Sequence, residues 1–150
     1  MMTDPQHTLI VTRLREDAQL PHYAHDGDAG LDLYSVQEVT LEPFERALIP
    51  TGIALAIPPG YAGYVMPRSG LAVKYGLSLV NTPGLIDSGY RGEVQICAIN
   101  LDAHFAITLG AGERIAQLVI APYSHVTIKE VDTLDETQRN TGGFGSSGTR

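Results

Sequence analysis

The sequence predicts an all-β fold, a sandwich or jelly-roll barrel with one short helix and a flexible C-terminal arm. Three observations carry that reading. The 16 glycines and 9 prolines break the 150 residues into pieces too short for several long helices. Short runs of alternating or β-branched residues recur between turn signals, as strands of a sandwich or barrel do. From Asp132 onward the composition becomes polar, ending in Arg139-Asn-Thr-Gly-Gly-Phe-Gly-Ser-Ser-Gly148, which cannot bury enough surface to order itself.

Taken in order, Thr8-Leu-Ile-Val-Thr-Arg-Leu14 alternates and is β-branched, a first strand. The loop Ala24–Gly30 turns into Leu31-Asp-Leu-Tyr-Ser35. Val39-Thr-Leu41 and Arg46-Ala-Leu-Ile49 flank a turn at Glu42-Pro43. Ile53-Ala-Leu-Ala-Ile57 alternates large with small, Pro58-Pro-Gly60 ends it, and Tyr61-Ala-Gly-Tyr-Val65 follows. Arg68–Tyr75 is the best candidate for a short helix. Gly76–Val80 and Val94–Ile99 read as strands, Phe105–Leu109 and Arg114–Ile120 as two more around a Gly110–Glu113 turn. His125–Val131 is predicted as the last strand. Periodicity alone leaves residues 8–20 and 31–42 open to a helical drawing. There is no internal repeat. The length suits one domain, residues 1–150, with a body over about 8–131 and an arm over about 132–150.

The net charge of −7 argues against nonspecific nucleic-acid binding, which needs a positive field along the phosphate track. A small anionic ligand needs only local arginines, and Arg68, Arg91, Arg114, Arg139 and Arg150 lie in or near glycine-rich segments. No apolar run reaches the roughly 20 residues of a membrane span, and the polar start, residues 1–6, has no signal-peptide pattern. The single cysteine, Cys97, reads as a small buried hydrophobe in a reducing compartment. A cytoplasmic setting is the resulting expectation.

The chemistry concentrates in the connector Asn81-Thr-Pro-Gly-Leu-Ile-Asp-Ser-Gly-Tyr-Arg-Gly-Glu93, which is longer than a tight hairpin needs. Its Pro83-Gly84 pair suits a type II turn. Asp87, Tyr90, Arg91 and Glu93 crowd onto it, so it reads as a pocket. Asp87 fits a general base or sugar-hydroxyl acceptor, or else an Asx-turn side chain. Tyr90 could pack against a sugar or anchor the loop. Arg68-Ser69-Gly70 opens the helix and offers a phosphate site, or Ser69 simply caps it. Asp32, between Leu31 and Leu33, is a solvated strand residue or an acid aimed at a metal-bound water. Gln117 has the bland reading of a strand side chain satisfied by a neighbour. Phe144, alone in a glycine-serine run after Arg139, has the composition of an arm that stacks on a base and grips phosphate, or of a disordered end. One cysteine cannot supply a zinc deaminase site, and the five histidines show no ligand spacing. Phosphate-loop, dinucleotide-binding and nucleophile-elbow motifs are absent.

Five stretches together resemble the homotrimeric dUTPases: Ala29–Leu33, Pro67–Ala72, Gly84–Glu93, Arg114–Leu118 and Arg139–Ser147. The resemblance implies a jelly-roll-like distorted β-barrel, a homotrimer with active sites between subunits, and Mg2+-dependent hydrolysis of dUTP to dUMP and pyrophosphate. It implies that the central loop holds uracil in a β-hairpin through Asn81, Gly84, Leu85 and Ile86. Asp87 would orient the attacking water and accept from the 3′-hydroxyl, and Tyr90 would lie under the sugar. Arg68, Ser69, Gly70 and Gln117 would contact phosphates; Gln95 would approach the nucleotide through side chain or backbone. Arg139 and Ser146 would close on the terminal phosphates, with Phe144 stacked on uracil and Gly145 among the substrate-binding residues. Asp32 would reach magnesium through water, the metal being carried mainly by the triphosphate. The alternative on this fold is a metal-free dCTP deaminase, or the bifunctional deaminase and dUTPase.

Overall fold

The computed structural model describes residues 8–148; the polar start, His7 and Arg150 lie outside the described residues. Ten strands and one helix follow in order: β1 (Ile10–Arg13), β2 (Leu31–Tyr34), β3 (Val39–Leu41), β4 (Arg46–Ala56), β5 (Tyr61–Met66), α1 (Ser69–Tyr75), β6 (Leu77–Leu79), β7 (Gly84–Ile86), β8 (Glu93–Asn100), β9 (Ile107–Leu109) and β10 (Arg114–Pro122). Two four-stranded sheets are ordered β1-β4-β8-β6 and β2-β10-β5-β7, and β3 pairs with β9. Every pairing is antiparallel.

One apolar cluster fills the space between the sheets. Leu33, Ile49, Ile53, Ile96, Leu109, Ile115 and Leu118 are fully buried in it. Side chains of that size contribute about 1.5–3 kcal/mol each when buried. Buried Asn100, at the end of β8, is satisfied on both ends of its amide. Its Nδ2 donates to the Leu41 and Phe105 carbonyls at 3.0 and 2.8 Å, and its Oδ1 accepts from the Asp102 N–H at 2.9 Å. The helix buries none of its residues and ends at Gly76, whose φ of 69° suits the left-handed terminus.

Four expectations are corrected. Arg46–Ile49 and Ile53–Ile57 are one strand, because β4 stays paired with β8 and absorbs residues 51–53 as a bulge. Pro83-Gly84 does not make a type II turn: Gly84 lacks positive φ and begins β7, and the chain bends at a cis Thr82–Pro83 peptide. The connector is not a self-paired hairpin either. β7 pairs with β5 in one sheet, while β8 pairs with β4 and β6 in the other. Finally, residues 125–131 form no strand. Among the described residues no strand pairs with the alternating run. Val126 and Ile128 are left 72% and 90% exposed.

Candidate functional site

Register builds one half of the site. Gln117 on β10 lies opposite Asp32 on β2 and Met66 on β5. Met66 is the last residue of β5, so Pro67, Arg68 and the start of α1 emerge beside the same row. Asp32 is 7% exposed, and each of its oxygens faces a guanidinium: Arg68 Nε lies 3.2 Å from Oδ1 and Arg114 Nη1 3.2 Å from Oδ2. Arg68 also donates to the Arg114 carbonyl at 3.2 Å. Gln117 Nε2 donates to the Pro67 carbonyl at 2.8 Å, tying β10 to the turn that launches Arg68. Gly30 leaves room for it, since a Cβ there would come within 2.4 Å of Gln117 Oε1.

These residues, with Ser69, Gly70 and His25, line a cavity of about 340 Å3. Ser69 does not cap α1: the capping position is Arg68, and no side chain bonds there. A larger cavity of about 650 Å3 shares Arg68 and Arg114 with the first, and is walled by His22, Tyr34, Tyr75 and Glu113. The Tyr34 hydroxyl pairs with His22 Nδ1 at 2.7 Å. Burial, with the charge of Asp32 behind it, raises the Tyr34 pKa against the opposing pull of Arg114 and Arg68.

The connector builds the other half. Asn81, Gly84, Leu85, Ile86, Asp87, Tyr90 and Gln95 line a third cavity, of about 280 Å3, which shares no residue with the first two. Asp87 is exposed, and its carboxylate has no bonding partner among the described residues, so the Asx-turn reading is not what the loop adopts. The turn closes instead through the backbone, Tyr90 N–H to the Asp87 carbonyl at 3.1 Å. Arg91 is used locally, donating to the Ser88 and Tyr90 carbonyls at 2.7 and 2.9 Å. Tyr90 is 47% exposed, its ring lies across Gly92, and its hydroxyl donates to the Glu93 carbonyl at 3.1 Å. Cys97 is half-buried and lines this cavity, not the core as its strand context suggests.

The structure therefore gathers Asp32, Arg68, Ser69, Gly70 and Gln117 in one place, and the connector residues in another. It does not bring Arg139, Phe144, Gly145 and Ser146 to either. In the arm Arg139 Nε donates to the Gly142 carbonyl at 2.9 Å, and Phe144 is fully exposed. Sequence reasoning did not assign Arg114 to the site. Its place at the head of the Arg114–Leu118 run, three residues before Gln117, was the available signal.

Residues 16–148 match the family model described as dUTPase. The chain belongs to the dUTPase family. It is 56% identical over 146 residues to the deoxyuridine 5'-triphosphate nucleotidohydrolase of Mycolicibacterium gilvum, covering 94% of this chain and 95% of that one. The enzyme of the same name from Clostridium kluyveri is 53% identical over 141 residues, covering 94% and 98%. Among solved structures, a mutant dUTPase of Staphylococcus bacteriophage 80alpha with dUpNHpp superposes with a TM-score of 0.87 at 35% identity, covering 94% of this chain and 98% of that one. A mutant dUTPase from phage phi11 of S. aureus, whose structure describes the coordination of a structural Mg(II) ion, superposes at 0.79 with 32% identity, covering 86% and 99%. The jelly-roll-like dUTPase fold expected from the five motifs is the fold observed. Among the described residues no helix is long and apolar enough to cross a membrane.

Proposed function

We propose that the protein hydrolyses dUTP to dUMP and pyrophosphate by attack of water on the α-phosphorus. The observation that carries this is the free Asp87 carboxylate at the edge of a small cavity built by the connector, in a chain about half identical to named dUTP hydrolases. A carboxylate with no bonding partner among the described residues is free to accept a hydrogen bond from a water and orient it. Asn81 and the backbone of Gly84, Leu85 and Ile86 read the polar edge of uracil, where an unmatched hydrogen-bond pattern discriminates far more strongly than apolar fit. Tyr90 lies under the deoxyribose, and Gln95 approaches the nucleotide from β8. Catalysis is then largely positioning and charge stabilisation.

Arg68, Ser69, Gly70 and Gln117 take the phosphates. The cavity they line shares no residue with the connector's, which supports a site assembled from more than one copy of the chain. We assign the homotrimer on that basis, with the arm of one copy bringing Arg139, Phe144, Gly145 and Ser146 to a site on the others.

Among the described residues no group of three or more His, Cys, Asp or Glu is gathered to hold a metal. The metal of this reading is Mg2+, which commonly takes one or two carboxylates plus substrate phosphates. Asp32 is our candidate for the carboxylate that would reach the ion through water, since each of its oxygens can still accept beyond its arginine contact. Bound there, the ion would neutralise phosphate charge. A cytoplasmic setting agrees with the free Cys97.

Incubation with dUTP and dCTP, with pyrophosphate and ammonia measured separately, tests the reading. Pyrophosphate from dUTP alone is expected, and ammonia from dCTP would overturn it.

A further inference from the structure

Tyr90 is held in its place by Gly92 and by Glu93, which lines the same cavity. Its ring covers Gly92 so closely that a Cβ there would lie 2.4 Å from the phenol oxygen and 2.6 Å from the ring carbon bearing it. Its hydroxyl donates to the Glu93 carbonyl. Glu93 is itself anchored, because its Oε1 accepts the Gly52 N–H at 2.8 Å. Gly52 sits in the β4 bulge with φ of 70°, and a Cβ would meet Ala18 and Val36 there within 3 Å. The bulge is docked in turn: the Leu14 N–H donates to the Gly52 carbonyl at 2.8 Å, and the Thr51 hydroxyl donates to the Val94 carbonyl. An unbroken series of contacts thus joins the bulge of β4 to the tyrosine ring.

We propose that Glu93 is a positioning residue for sugar discrimination: by binding the Gly52 N–H it holds the carbonyl that fixes the height of the Tyr90 ring. The proposal rests on the reading of Tyr90 as the floor under the deoxyribose. A ring that can sink admits a 2′-hydroxyl, and a ring pinned by Glu93 and Gly92 does not. The carboxylate acts here only as an acceptor, so an amide oxygen at the same place serves equally well.

The test compares kcat/KM for dUTP and UTP in three variants, with thermal midpoints as a check on folding. Glu93→Ala is expected to lower the dUTP/UTP ratio about 5- to 10-fold, the scale of one lost hydrogen bond. Glu93→Gln should restore the ratio to near its original value. Gly92→Ala, which pushes the ring without touching Glu93, should lower it as Glu93→Ala does. A folded Glu93→Ala with an unchanged ratio overturns the proposal, as does a Glu93→Gln variant that discriminates no better than Glu93→Ala. Should Glu93→Ala not fold, an unchanged ratio in Gly92→Ala overturns it equally. A wild-type protein that leaves dUTP intact contradicts the hydrolase reading instead, so the two failures are distinguishable.

Discussion

Asp32 Oδ1 lies 3.2 Å from Arg68 Nε, and the same carboxylate reaches Arg114 through its other oxygen. Two strands and a helix start are thereby fixed to one nearly buried charge. Asp32→Ala would leave two guanidiniums close together with no anion between them. The pair is only partly buried, so the expected loss is about 1–3 kcal/mol, between the surface and buried limits. Urea unfolding of Asp32→Ala, Arg68→Ala and the double variant checks it. The double variant should lose less than the sum of the single losses, and strict additivity would contradict the coupling.

Asp87→Asn keeps the size of the side chain and removes its charge. Turnover of dUTP is expected to fall by about 100-fold or more, with nucleotide binding retained. Steady-state kinetics beside a binding titration separates the two effects. Unchanged turnover would remove Asp87 from the reaction.

Gly30→Ala should act on activity through Gln117. The new methyl displaces the amide that bonds the Pro67 carbonyl, and so loosens the turn that carries Arg68. KM for dUTP is expected to rise about 10-fold with a smaller change in kcat, because one positioning contact is worth roughly that factor. An unchanged KM would show that Arg68 is held well enough by Asp32 alone.

Removal of residues 139–150 should leave the body folded, since among the described residues no strand and no member of the apolar cluster lies there. The thermal midpoint should stay within a few degrees, while dUTP hydrolysis is largely lost. A truncated protein working at full rate would refute the role given to the arm.

Alkaline stability should report Tyr34. Burial raises its folded pKa above the usual value of about 10, so the folded state keeps the proton more tightly than the unfolded chain. Its contribution is therefore complete below pH ~10 and is lost as pH rises through the folded value. Thermal midpoints measured between neutral pH and pH ~11 should fall more steeply for the wild type than for Tyr34→Phe.

Much of the fold was legible because period-two alternation and glycine or proline breaks are local signals, as in β5 and β10. Leu31–Tyr34 was harder to read. All four residues are buried, so its alternation says little, and only pairing with β10 shows why an aspartate sits there. The merged β4 was hidden by Pro50-Thr-Gly52, which reads as a break, whereas Pro50 stays paired and residues 51–53 fold as a bulge. His125–Val131 carried a good strand pattern, and failed because a strand also needs a neighbour, which local sequence does not encode. In the site, the five motifs named most of the residues. What they could not convey is that Gln117 spends its amide on Pro67, or that Arg114 shares Asp32 with Arg68. Those depend on cross-strand register.

The most direct measurement is pyrophosphate release, with magnesium present, from dUTP beside dATP, dCTP, dGTP and dTTP. Rapid release from dUTP, with the other four hydrolysed at least about 100-fold more slowly, is the outcome expected of a cavity that reads uracil by hydrogen bonding and size. Intact dUTP, or comparable release from dTTP or dCTP, would contradict the account.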